Sequence, residues 1–139
     1  MPTLKLLEQY GVSSYQQKRK AYVYHKGKYL PFPFQLHLAF LDPEEKILCY
    51  RDFMKAQQRN SKQYPQNLDQ LLKTSFGETL YQNFLKPYNK KIWKTDLTQI
   101  STNWKGRITK ESIATFKEGY LHKNTENYGS NAWVYYPRQ

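Results

Sequence analysis

FGETLYQNFLKPYNKKIWKTDLTQISTNWKGR, running from Phe76 to Arg107, is the stretch around which the rest of the chain can be organised. Gly77 marks a boundary. After it, Leu80/Tyr81 and Phe84/Leu85 recur at i, i+1, i+4, i+5, the spacing of one helical face, so a helix is expected over Glu78 to Leu85. Pro87 lacks a backbone donor and its ring crowds the preceding turn, which predicts that the helix ends there. The segment PYNKKIW, Pro87 to Trp93, then reads as a loop in which Tyr88 and Trp93 stand among Lys90, Lys91 and Lys94. A short helical turn is expected near Thr98 to Trp104.

Working outward, Lys20 to His25 (KAYVYH) is rich in β-branched and aromatic residues and predicts a strand. Lys26-Gly27-Lys28 supplies a turn, and Tyr29 to Gln35 returns as a second strand. Pro31 and Pro33 cannot donate ladder hydrogen bonds, so this strand must lie at an edge or soon leave the sheet. Asp42-Pro43-Glu44-Glu45 opens a helix, with Asp42 at the N-cap, Pro43 at N1 and Glu45 at N3 as in a capping box. Ile47, Leu48, Tyr50, Phe53 and Met54 give that helix an apolar stripe up to about Arg59. Asn67 can cap the next helix, where Leu68, Leu71 and Leu72 share a face. Residues 3 to 9 form a short helical pattern closed by Gly11, Trp133 to Tyr136 reads as extended, and Ile113 to Leu121 has no decisive pattern. The expected class is α+β: a β-hairpin or small antiparallel sheet with several short helices, helix predominating, in a single domain spanning 1–139.

A chain of 139 residues is long enough to bury roughly 70% of its unfolded surface without a metal or disulfide staple. Its 13 Tyr, 7 Phe and 3 Trp supply core material that also hydrogen-bonds. Cys49 is the only cysteine, which rules out an intramolecular disulfide and a thiolate-built metal site. Its place in an apolar stripe predicts a buried structural thiol. His25, His37 and His122 lack metal-ligand spacing. No charged-then-apolar signal pattern opens the sequence and no run approaches the roughly 20 apolar residues of a membrane span, so a cytoplasmic protein without a transmembrane segment is expected. The net charge of +11 raises the possibility of a polyanionic partner. The cations are dispersed and no nucleic-acid fold signature is present, so a basic nucleic-acid-binding module is the lesser alternative. GxGxxG, Walker A and GxSxG patterns are all absent.

Phe76, Gly77, Phe84, Pro87, Tyr88, Lys91, Trp93, Ser101 and Arg107 together resemble the central motif of a flavoprotein superfamily. That group holds FAD-dependent amine oxidases, protoporphyrinogen-oxidase-like proteins and UDP-galactopyranose mutases. Two flanking pieces agree in order: Val23 to Phe34 (VYHKGKYLPFPF) resembles the group's strand–NGK–strand element, and Asn127 to Pro137 (NYGSNAWVYYP) the stretch before its Gly-Gly turn. The resemblance covers roughly residues 15 to 137. It implies the substrate-binding or cap portion of an FAD-dependent oxidoreductase, inactive alone, with FAD held by a separate flavin domain and not retained tightly here. A GxGxxG-bearing segment is then expected upstream and a Gly-Gly continuation downstream.

In the mutases, residues matching Tyr88, Trp93 and Arg107 contact the sugar nucleotide, the Trp stacking on uracil and the Tyr and Arg approaching the diphosphate and sugar. The resemblance therefore implies substrate contacts at Tyr88, Lys91, Trp93 and Arg107, with a small molecule, in the mutase branch a nucleotide-sugar, as partner. Physically, a Trp rimmed by lysines can stack on a planar ring while ammonium groups meet phosphate. The competing assignment is scaffold: Trp93 filling a core, Tyr88 bonding a backbone carbonyl, Arg107 in an internal ion pair. Lys94 stands where mutases have Gly, and Ile108-Thr109-Lys110 follows Arg107 where they have Pro-Val-Arg. These departures favour the oxidase-like branch over the mutase one.

Overall fold

The computed structural model describes residues 2–59, 64–103, 112–125 and 132–138, which divide between two compact units, Met1–Pro33 with Thr125–Gln139, and Phe34–Asn124. The class is α+β with helix predominating, as expected.

In the first unit, helix α1 (Pro2–Gln9) stops at Gly11, whose φ of +74 suits glycine. Strand β1 (Ser14–Lys18) pairs antiparallel with β4 (Trp133–Pro137), setting Tyr15 opposite Tyr136 with ring centroids 5.8 Å apart. Strands β2 (Tyr22–His25) and β3 (Lys28–Pro31) form the expected hairpin, with Tyr24 opposite Tyr29. Its turn is shorter than the sequence suggests. Lys26 and Gly27 alone span it, both at positive φ (46 and 81), the geometry that matches the twist of a two-residue hairpin. The return strand also stops earlier, at Pro31 rather than Gln35. One more ladder bond, Phe32 N to Ala21 O at 2.9 Å, precedes Pro33, which has no N–H to continue it.

The second unit opens with two 3-10 turns, Phe34–Leu36 and Leu38–Phe40, that bury Phe34, Leu36 and Leu38. Helix α2 (Pro43–Gln58) starts at Asp42 with Pro43 in its first turn. The Asp42 side chain makes no cap hydrogen bond, and Glu45 turns inward, its Oε1 accepting from Asn83 Nδ2 at 2.7 Å. The buried stripe is Glu45, Cys49, Phe53 and Ala56, while Ile47 is exposed. Cys49 is fully buried, as its position predicts.

Helix α3 (Leu68–Phe76) carries the expected cap: Asn67 Oδ1 accepts from Gln70 N at 3.0 Å. Leu68, Leu72 and Phe76 form its buried face. Helix α6 (Ile113–Leu121), which no apolar period announces, begins with Ser112 Oγ accepting from Thr115 N. It seats Phe116 on Phe53, ring centroids 3.6 Å apart, a pair worth roughly 0.5–1.5 kcal/mol beyond its area burial. A Cβ at Gly119 would come within 2.0 Å of the Leu36 carbonyl oxygen, so α6 lies directly on the first 3-10 turn. Among the described residues no helix is long and apolar enough to cross a membrane.

Candidate functional site

The helix that follows Gly77 does not end at Pro87. Helix α4 (Glu78–Leu80) passes into a π turn (Tyr81–Leu85) and then into helix α5 (Lys86–Trp93). A π turn shifts the hydrogen-bond register from i−4 to i−5 and accommodates an extra residue. Pro87 closely follows the π turn, so its missing N–H falls where the helix is changing hydrogen-bond register. The sequence-based expectation of a loop at PYNKKIW is therefore corrected: Tyr88, Lys91 and Trp93 all stand on α5. Lys94 closes it in the left-handed region, at φ 55 and ψ 23.

The start of this helix is held from outside. Gly77 adopts φ +84, and a Cβ there would stand 2.5 Å from the Asp52 carbonyl carbon and oxygen. That contact brings the Asp52 carboxylate over the helix N-terminus, where Oδ2 accepts from Thr79 N at 3.3 Å and Thr79 Oγ1 at 2.5 Å. Partial burial pushes the Asp52 carboxyl up, but the Thr79 hydroxyl and amide and the adjacent Arg51 outweigh it, leaving it below the usual carboxylate range. One turn on, the Tyr81 hydroxyl donates to Asp69 Oδ1. Burial, and then that carboxylate, raise the Tyr81 phenol well above its ordinary value.

At 100° per residue, Tyr88 and Lys91 lie about 60° apart on α5, and Asn89 and Trp93 about 40° apart. Tyr88 and Trp93 are separated by about 140°, so they occupy different sides of the helix. Tyr88 is half-buried and stacks on Phe84, ring centroids 5.0 Å apart, and Phe84 stacks in turn on Phe34 at 4.1 Å and 7°. Its hydroxyl makes no hydrogen bond among the described residues, so its place is set by its ring rather than by a backbone carbonyl. Trp93 is half-buried and Lys91 exposed. Arg107 lies outside the described residues.

The neighbouring cations are not equivalent. Lys90 Nζ lies 3.2 Å from Asp96 Oδ2, whereas Lys91 forms no ion pair among the described residues. Asp96 caps the 3-10 turn Leu97–Gln99. The Thr98 amide and hydroxyl, followed by Lys90, hold its carboxyl down at about 2. Asn89 is the residue that sequence reasoning passed over. It is 4% exposed, and its Nδ2 donates to the Leu85 carbonyl at 2.8 Å. Flanked by Tyr88 and Lys90, it has no apolar neighbour in sequence to signal burial; only its spacing from Leu85 and Trp93, four residues each way, does so. Among the described residues, no group of three His, Cys, Asp or Glu side chains could hold a metal ion.

The class of structure is thus a helical unit presenting an aromatic and basic helix, with two-stranded antiparallel sheets in the other unit. No protein-family model matches the chain. Among solved structures, one described as reduced UDP-galactopyranose mutase shares this fold with a TM-score of 0.82. Sequence identity is 22%, over 96% of this chain and 29% of that one. The chain therefore spans less than a third of that protein's length, and at this identity the likeness establishes the shared fold.

Proposed function

We propose that this region is the substrate side of an FAD-dependent enzyme and that α5, with Arg107, holds a sugar nucleotide. The observation that carries this proposal is the fold shared with a UDP-galactopyranose mutase across 96% of the chain. The collinear motif residues Gly77, Tyr88, Trp93 and Arg107 support it. Lys94 also loses weight as a departure. Its left-handed backbone is the conformation glycine favours, so this position suits the glycine of the motif as well as the lysine found here.

Within the site, Trp93 would stack on the base, an interaction worth roughly 1–3 kcal/mol where aromatic side chains meet bases in single-stranded nucleic acids. Lys91 and Arg107 would meet the diphosphate through charged hydrogen bonds of about 1.5–3 kcal/mol each. Tyr88, fixed by the Phe34–Phe84 stack, offers its hydroxyl to phosphate or sugar. FAD, when bound in the larger protein, supplies the redox or covalent chemistry. The described residues do not fit it: their sheets are antiparallel pairs, with no parallel β-α-β crossover to cradle a dinucleotide. A separate flavin domain would hold it, and this chain would bind and orient substrate. An oxidase-like enzyme with another small-molecule substrate is the second reading, favoured by Ile108-Thr109-Lys110 where the mutases continue Pro-Val-Arg.

The test is a titration of the protein with UDP, followed by tryptophan fluorescence. Saturable quenching that is lost in Trp93→Ala and weakened in Lys91→Ala is expected. Quenching that survives Trp93→Ala would remove the stacking role, and no UDP binding would leave the oxidase-like reading in its place.

A further inference from the structure

We infer that the cavity between α2 and the Lys73–Glu78 corner is a second binding site, one that takes a phosphate group on Lys55, Arg59 and Lys73. Asp52, Lys55, Ala56 and Arg59 follow one another at i, i+3, i+4, i+7, so α2 and its C-cap turn one stripe toward the end of α3 and the start of α4. The stripe borders an open cavity of about 170 Å³ whose other wall is Lys73, Gly77 and Glu78. Its frame is fixed. The Asp52 carboxylate holds Thr79, Gln57 Nε2 donates to the Ser75 carbonyl at 2.8 Å, and Gly77 admits the α2 backbone where a Cβ would not fit. Ala56, the smallest side chain of the stripe, is buried and leaves the floor of the cavity open.

Three cations and two carboxylates line the cavity, and the two kinds are not equally satisfied. Asp52 accepts from the Thr79 amide and hydroxyl and has Arg51 beside it. Glu78 accepts from Gln82 Nε2 at 2.8 Å and lies 2.9 Å from Lys73 Nζ. The Lys55 and Arg59 side chains, by contrast, form no ion pair or hydrogen bond among the described residues. Lys and Arg can only donate, so the group that completes this cavity must be made of acceptors. A phosphate brings several oxygens and up to two charges to the three cations, and the planar fork of Arg59 matches two of those oxygens. One water needs about 10–15 Å³ of such space, so there is room for a phosphate group and part of its hydration shell, whereas a whole small-molecule ligand fills about 300–1,000 Å³. Along the helical run from Glu78 to Trp93 the rise is roughly 20 Å, so this site is distinct from the contacts proposed for α5.

The experiment is a residue-resolved NMR titration of the protein with inorganic phosphate, glycerol 3-phosphate and acetate, at low and constant ionic strength balanced with chloride. Phosphate is expected to shift the Gly77 and Glu78 amides and the Arg59 side-chain N–H saturably, and acetate, with one charge, to bind about fivefold more weakly. Because the contacts are open to solvent, Lys55→Gln and Arg59→Gln should each weaken phosphate by roughly threefold, and the double variant by about tenfold. Glycerol 3-phosphate binding as well as phosphate would support a site for phosphate esters, and binding of inorganic phosphate alone a site for the free ion. Shifts no larger than those chloride produces, acetate binding as tightly as phosphate, or undiminished affinity in the double variant would each overturn the inference. Loss of the same shifts in Trp93→Ala would place the phosphate on α5 and overturn it too. The wild-type titrations need no variant, and Lys55 and Arg59 are both exposed, so their replacement leaves the packing of α2 in place.

Discussion

Gly77 and Asp52 lie so close that a methyl group on Gly77 would overlap the Asp52 carbonyl, at 2.5 Å. The approach places the carboxylate of α2 over the first amides of the helix that leads to α5. An absent side chain on one element thus permits a cap supplied by another.

Gly77→Ala should therefore be among the most damaging single substitutions in this unit. Overpacking against backbone costs about 1–3 kcal/mol, and a non-glycine residue at φ 84 and ψ 166 about 1–3, so a loss of about 3 kcal/mol is expected. Urea denaturation of the variant measures it, and a loss below about 1 kcal/mol would mean that α2 gives way easily.

Asp52→Asn should cost about 1 kcal/mol at neutral pH, the scale of a lost N-terminal cap. Because the folded Asp52 carboxyl sits below its unfolded value, its contribution is complete above about pH 4 and disappears as pH falls through the lower folded value. Denaturation midpoints from pH 5 to 2 should fall more steeply for wild type than for Asp52→Asn.

Tyr81 predicts the opposite limb. Its phenol is raised in the folded state, so its contribution is complete below about pH 10 and is lost as pH climbs beyond that, where the unfolded chain ionises first. Tyr81→Phe should be less stable at neutral pH, by about 1 kcal/mol for the bond to Asp69, and flatter in stability between about pH 10 and 12. Parallel alkaline profiles for the two proteins would contradict the assignment.

Lys94→Gly should stabilise. Lys94 holds φ 55 at the end of α5, a conformation that costs a residue with a Cβ roughly 1–2 kcal/mol and glycine almost none. Since glycine also loses more freedom on folding, a net gain of about 1 kcal/mol is expected in thermal or denaturant unfolding.

Where local chemistry sets the structure, the sequence could be followed. Asn67 at its cap, the Lys26-Gly27 hairpin turn and the break at Gly77 each depend on residues within a few positions of one another. The pairing of Ser14–Lys18 with Trp133–Pro137 depends on a partner more than a hundred residues away, and SYQQK has none of the β-branched content that marks a strand. Helix α6 was hidden because its buried positions, Phe116 and Gly119, include one with no side chain. In the site, the motif residues could be named in advance but not arranged. Pro87 argued for a loop, since the π turn that accommodates it is a choice of hydrogen-bond register with no residue type of its own. Asn89 went unnoticed for a related reason: a polar residue among lysines reads as solvated until packing shows otherwise.

The π turn at Tyr81–Leu85 also determines what kind of mutation could retarget this region. Substitutions in Lys86–Trp93 alter one side chain at a time. Removing a single residue between Gly77 and Pro87 would instead be absorbed by closing the π turn to an α turn, leaving the faces of the following helix where they are while setting the proline inside an unbroken i−4 ladder. Changes of identity within the helix, rather than of length before it, are thus the route by which relatives of this chain could come to grip different ligands on the same backbone.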